Sequence, residues 1–82
     1  NLFGKIELTK TNTNNELIDG SVFNVKGPNG YDQDITVTNG KIVIENLTKG
    51  TYYLKEKIAP NGYVLDDNIY SVEVQAHQRR LL

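Results

Sequence analysis

The chain of 82 residues reads as an all-β sandwich, and three observations predict it. Turn-forming sequences recur at short intervals: Pro28-Asn29-Gly30, Asn39-Gly40, Lys49-Gly50 and Pro60-Asn61-Gly62. The runs between them alternate apolar and polar residues, the pattern of strands with one buried face. No ten-residue window carries apolar side chains at helical spacing.

The expected strands are Gly4–Lys10, Ser21–Lys26, Ile35–Thr38, Lys41–Glu45, Gly50–Lys57 and Ile69–Ala76, with another beginning at Arg79. About seven strands in an antiparallel or mixed arrangement describe an immunoglobulin-like sandwich. A two-residue period assigns the inward face of each. Ile6 and Leu8 point in, as do Phe23 and Val25, Ile35 and Val37, and Ile42 and Ile44. Tyr52 and Leu54 continue the set, and Tyr70, Val72 and Val74 complete it. Leu17 and Leu47 are expected to plug the ends, while Val22, Val43 and Tyr53 fall in the outward phase. The polar stretch 11–19 reads as a loop joining the first two strands.

Residues 1–82 form one small domain, expected to be a single repeat cut from a longer surface protein. A chain of this size buries roughly 60–65% of its unfolded surface, which leaves a thin margin of stability without a staple. There are no cysteines, so that staple is not a disulfide. With one histidine and no thiol, neither a metal nor any other cofactor is implied. Asp66 and Asp67, with Asp32 and Asp34, lack the spacing of a calcium loop and read as solvated carboxylates. A net charge of −1 argues against a nucleic-acid partner. No apolar run is long enough to insert in a membrane. His77 lacks partners for nucleophilic chemistry and is expected at the surface, and the Asn46-Leu47-Thr48 sequon carries little weight.

Two charges contradict the inward pattern. Lys10 shares the phase of Ile6 and Leu8, and Glu56 shares that of Tyr52 and Leu54. Taken singly, Lys10 ends its strand and reaches water, and Glu56 takes hydrogen bonds from the Ala59–Gly62 turn. Taken together, they lower each other's cost of burial if they meet. A sharper reading is reactive. Desolvation favours neutral amines and neutral carboxyls, so such a pair can set a nucleophile beside an acid. Attack on an Asn or Asp side-chain carbonyl then forms an isopeptide bond, with ammonia or water leaving.

The runs Gly4–Thr11 and Leu17–Phe23 resemble the opening of a Cna B-type domain, the SpaA-like, prealbumin-like repeat of Gram-positive pilins and adhesins. Gly40–Leu47, Gly50–Glu56 and Ala59-Pro60-Asn61-Gly62-Tyr63 are similar to that family's consensus over nearly the whole chain. The resemblance implies that Lys10 is the isopeptide nucleophile and Glu56 the proton shuttle. It also implies an Asn or Asp acceptor on a final strand alongside the first.

That acceptor is not found: nothing from Ile69 to Leu82 is Asn or Asp, and Asn68 is a poor substitute by topology. Arg79-Arg80-Leu81-Leu82 reads as the start of the final strand, broken off before its acceptor. The sequence is truncated, the bond is lost, or another segment or chain supplies the strand. The intact Lys10 and Glu56 favour the first or the last of these.

The expected function is that of an extracellular, cell-wall-attached structural stalk or pilin module, with no enzyme activity beyond autocatalytic bond formation. Its expected partners are neighbouring repeats of the same polypeptide, host matrix through another domain, and strands exchanged at the open edge beside the first strand. The alternative is an adhesive module that itself binds host matrix or another surface protein.

Overall fold

The structure is a computed structural model, and it describes residues 4–75. The strands are β1 (Gly4–Thr9), β2 (Val22–Lys26), β3 (Asp32–Thr36), β4 (Lys41–Leu47), β5 (Gly50–Ile58) and β6 (Ile69–Val74). β1 and β4 form one antiparallel sheet, and the other runs β3-β2-β5-β6, also antiparallel throughout. The fold is the all-β sandwich of two antiparallel sheets that the alternation predicts. The expected final strand from Arg79 and His77 lie outside the described residues.

The two sheets close on Ile6, Phe23, Val25, Val37, Ile42, Ile44, Leu47, Tyr52, Leu54 and Val74, all buried. Leu8, Ile35 and Val72 are partly buried against them. Val43 and Tyr53 are exposed, as their phase requires.

Several boundaries differ from the sequence reading, each for a local reason. β1 ends at Thr9, so Lys10 follows the strand and does not close it. β3 begins at Asp32, three residues earlier than expected, because Asp32 and Asp34 pair with Lys26 and Asn24 across an edge ladder. Both carboxylates take hydrogen bonds from the Asn24 amide, so a strand with little apolar character still pairs.

β4 runs on to Leu47 through a bulge: Ile6 faces Ile44, but Gly4 faces Leu47. The extra residue reverses the phase, which brings Leu47 into the core as part of a strand. Asn46 sits there with φ 60°, a left-handed conformation that asparagine accepts more readily than most residues.

Two expected core positions are exposed. Leu17 is 54% exposed, and its neighbour Ile18 is the buried residue of that loop. Tyr70 is 44% exposed because its hydroxyl donates to Asp66 Oδ2 and not into the core.

Two glycines let the layers meet. A Cβ on Gly27 would fall 2.3 Å from the Tyr52 ring, so the β2 exit lies flat against that side chain. Tyr52 packs edge-on to Tyr31 with ring centroids 5.6 Å apart, and its hydroxyl donates to the Thr48 carbonyl at 2.8 Å. A Cβ on Gly4 would meet Val74 Cγ1 and the Gln75 carbonyl at 2.6 Å, where the ends of β1 and β6 cross between sheets.

Candidate functional site

Lys10 and Glu56 arrive from opposite sheets. Glu56 projects inward from β5 in phase with Tyr52 and Leu54, and only 1% of it is exposed. A bulge in the β2–β5 ladder sets Phe23 opposite Glu56 while Val22 faces Ile58. Lys10 is held by its backbone on both sides: its N–H donates to the Gly40 carbonyl at 2.7 Å, and its carbonyl accepts from the Ile18 N–H at 3.0 Å. Gly40 is fixed in turn, since its N–H donates to Asp19 Oδ1. The 11–19 loop and the Asn39-Gly40 turn therefore set where the lysine stands.

The side chains meet. Lys10 Nζ lies 3.8 Å from Glu56 Oε2, with 26% of the lysine side chain exposed. This contact is an ion pair at the edge of reach, too long for a hydrogen bond. The burial is asymmetric: the carboxylate sits in the core, and the lysine reaches it from the rim.

The two Glu56 oxygens have different surroundings. Oε1 accepts a hydrogen bond from the Asp66 N–H at 2.9 Å. The donor thus comes from further along the β5–β6 connection, and not from the Ala59–Gly62 turn. Oε2 is buried without a hydrogen-bond partner among the described residues. One oxygen is anchored, and the other is left facing the lysine.

Two clefts meet at Lys10. One of about 360 Å³ is lined by Lys10, Ile18, Glu56, Pro60, Tyr63 and Val64 among others. The other, of about 280 Å³, lies between β1 and β6 and includes Leu8, Lys10, Phe23, Leu54, Asp66 and Tyr70. Among the described residues β1 pairs only with β4, and no described strand pairs with its other edge beside these clefts.

Asp66 and Tyr70 belong to this site, although the alternation pattern did not identify them. Asp66 Oδ2 accepts from the Tyr70 hydroxyl, and Oδ1 accepts from the Asn68 N–H at 2.9 Å. The Tyr70 bond, then the Asn68 bond, hold the Asp66 carboxyl below its ordinary value, and the Lys10 charge adds to this. The same pairing raises the Tyr70 hydroxyl. The available signal was Asp66-x-Asn68, a short-range turn in which Asp caps the N–H two residues on.

Asn68 is itself exposed and its backbone serves Asp66, and no Asn or Asp among the described residues makes a hydrogen bond or ion pair with Lys10. Among the described residues, no group of three His, Cys, Asp or Glu side chains is placed to hold a metal ion.

A family model described as SpaA, prealbumin-like fold domain, matches residues 4–81. The chain belongs to the SpaA family. SpaA prealbumin-like domains are structural modules of pilins and extracellular surface proteins. Among solved structures, this SpaA domain is similar to one titled "The Bacillus anthracis TIE protein", with TM-score 0.87 and 34% identity over 92% of its length. It spans 14% of that longer chain. No curated protein matches the sequence. None of the described helices is long and apolar enough to cross a membrane.

Proposed function

We propose that this SpaA domain is one repeat in the stalk or pilin shaft of a Gram-positive surface protein attached to the cell wall. In this reading it forms an intramolecular isopeptide bond from Lys10. The observation that carries the proposal is the meeting of Lys10 Nζ with a buried, half-anchored Glu56, beside an edge of β1 that no described strand pairs.

The chemistry follows from that arrangement. A strand laid along that edge of β1 brings an Asn or Asp side chain over Lys10. The neutral amine attacks its carbonyl carbon, forming the new C–N bond. Glu56 polarises the carbonyl and carries one amine proton to the leaving group, which departs as ammonia from Asn or water from Asp. The acceptor comes from sequence that follows β6 or from another chain.

The bond would enclose nearly the whole domain. By analogy with a disulfide over a loop of this size, it removes about 4–5 kcal/mol of unfolded-state entropy. Tension applied at the termini would pass through the covalent bridge and not through the sheet ladders. That suits a load-bearing spacer that holds a binding head away from the wall, with neighbouring repeats as its partners.

Peptide mapping of the natural full-length protein tests this. The expected product is a branched peptide joining the Lys10 segment to an Asn- or Asp-containing segment, with trypsin unable to cut at Lys10. Cleavage after Lys10 into linear peptides would overturn the proposal. The adhesive alternative has little support in the described loops, which are polar apart from exposed Leu17 and the exposed run Tyr63-Val64-Leu65.

A further inference from the structure

The chain holds three Asn-Gly pairs, Asn29-Gly30, Asn39-Gly40 and Asn61-Gly62, each in a turn. Glycine carries no side chain to shield its own amide nitrogen, so that nitrogen can reach the side-chain carbonyl of the asparagine before it. The fold treats the three pairs differently.

Asn39-Gly40 is clamped. The Gly40 N–H donates to Asp19 Oδ1, and the Thr38 and Lys41 backbones bond each other in both directions at 3.0 Å. Gly40 is buried, and a Cβ on it would fall 2.6 Å from Leu17 Cβ. Asn29-Gly30 is exposed but tied on both flanks. The Gly27 N–H donates to the Tyr31 carbonyl at 2.9 Å, the Tyr31 N–H to the Pro28 carbonyl at 3.2 Å, and the Tyr31 ring packs on Tyr52. Asn61-Gly62 is exposed together with Tyr63, Val64 and Leu65. Its turn is closed by the bond from the Tyr63 N–H to the Pro60 carbonyl at 3.0 Å. Among the described residues the Gly62 N–H has no acceptor, and a Cβ on Gly62 would meet nothing within 4 Å.

We propose that Asn61-Gly62 is a modification site, where asparagine converts spontaneously to aspartate and isoaspartate, and that Asp19 shields Asn39 from the same reaction. The Gly62 nitrogen gives its proton to solvent base and attacks the Asn61 side-chain carbonyl carbon. The new C–N bond closes a succinimide ring, and the side-chain nitrogen takes a proton from water and leaves as ammonia. Water then adds to one ring carbonyl and breaks its C–N bond. Opening at the side-chain carbonyl gives aspartate; opening at the backbone carbonyl gives isoaspartate, with the chain routed through the side chain.

The first step needs an amide whose proton can leave, and the Gly40 proton is held by a carboxylate in a buried turn. The protected pair is the one that places the lysine, since the Gly40 carbonyl accepts from the Lys10 N–H. Conversion at Asn61 acts elsewhere. It adds a negative charge, and isoaspartate lengthens the backbone between Pro60 and Tyr63, which wall the cleft shared by Lys10 and Glu56. The inference is independent of the isopeptide reading. A succinimide has also lost ammonia, but it lies on a linear peptide and is consumed by water.

The natural full-length protein, held folded at mildly alkaline pH, tests this by peptide mapping over time, with aspartate and isoaspartate products separated at each pair. Asn61 is expected to convert about tenfold or more faster than Asn39, whose reaction first requires a hydrogen bond to a carboxylate to break and the turn to open. Asn29 is expected to fall between them. In concentrated urea the three rates should draw together, because the unfolded chain holds none of these contacts. Folded-state conversion at Asn39 or Asn29 as fast as at Asn61 would overturn the inference.

Asp19→Ala tests the shield, and Asn39 conversion should rise in it while Asn61 conversion stays the same. An unchanged Asn39 rate in the folded variant would reject the shield. If circular dichroism shows that variant unfolded, amide hydrogen exchange in the native protein decides. Slow exchange at Gly40 with fast exchange at Gly62 supports the assignment, and equal exchange rejects it.

Discussion

Glu56 Oε2 lies 3.8 Å from Lys10 Nζ and has no hydrogen-bond partner among the described residues, while its sister oxygen is tied to the Asp66 N–H. A buried carboxylate with one satisfied oxygen depends on the lysine for the rest of its compensation.

That dependence predicts an asymmetry between two substitutions. Lys10→Met leaves a buried charge without its counter-ion and is expected to cost about 2–4 kcal/mol. Glu56→Gln keeps the shape and an acceptor for the Asp66 N–H, and is expected to cost about 1 kcal/mol. The double variant should cost less than the sum of the two. Urea unfolding of the four proteins checks the order, and equal costs for the single variants would remove the dependence.

The Gly27–Tyr52 contact predicts a steric penalty. Gly27→Ala places a Cβ within 2.3 Å of the Tyr52 ring, so either the ring or the β2 exit must move. Gly27 has φ −157°, an extended backbone, so the cost is crowding and not conformational strain. A loss of about 1–3 kcal/mol is expected by thermal or urea unfolding. Tyr52→Phe loses the bond to the Thr48 carbonyl and should cost about 1 kcal/mol.

The bulge on β4 predicts a residue preference at Asn46. Its φ of 60° tolerates Asn and Gly but penalises β-branched residues. Asn46→Gly is expected to be close to neutral, and Asn46→Val to cost about 1–3 kcal/mol. Similar stabilities for these two variants would contradict the register in which Leu47 faces Gly4.

Asp66 predicts how stability responds to acid. The Tyr70 hydroxyl, then the Asn68 N–H, hold its carboxyl below the ordinary value in the folded chain. Such a group stabilises the fold above its unfolded value and loses that contribution as pH falls through its folded value. Asp34, held low first by the Lys57 ammonium and then by Asn24, acts in the same direction. The melting temperature should therefore fall as pH drops below about 4. Tyr70→Phe removes the largest cause at Asp66 and should flatten that limb. A Tyr70→Phe profile parallel to the native one would exclude the pairing as a contributor.

Much of the sandwich was legible in alternation because alternation is what a one-sided strand must show. Ile6, Phe23, Val25, Ile42, Ile44, Tyr52 and Leu54 all face inward in their expected phase. The same reasoning identified Glu56 by its position in a buried row, and it set Lys10 close enough to meet it. What escaped it has no period. Leu47, expected as an end plug, is buried as that reading required, but it is the last residue of β4 because a bulge shifts the register, and β3 begins among aspartates because Asn24 bonds them. Tyr70 shows the limit best. Its phase points inward, but a hydrogen bond to Asp66 holds it at the rim. Asp66 itself lies in a connection without periodicity, and only the fold brings it to Glu56.

The intact mass of the natural full-length protein, compared with its Lys10→Arg variant, tests the central claim most directly. The variant keeps a positive charge but cannot form the amide, and it controls for ammonia lost at Asn-Gly sequences elsewhere. The proposal predicts a native mass lower than its sequence by one ammonia or one water for this domain, a deficit that the variant lacks. Full unmodified mass in the native protein, or the same deficit in both, would contradict it.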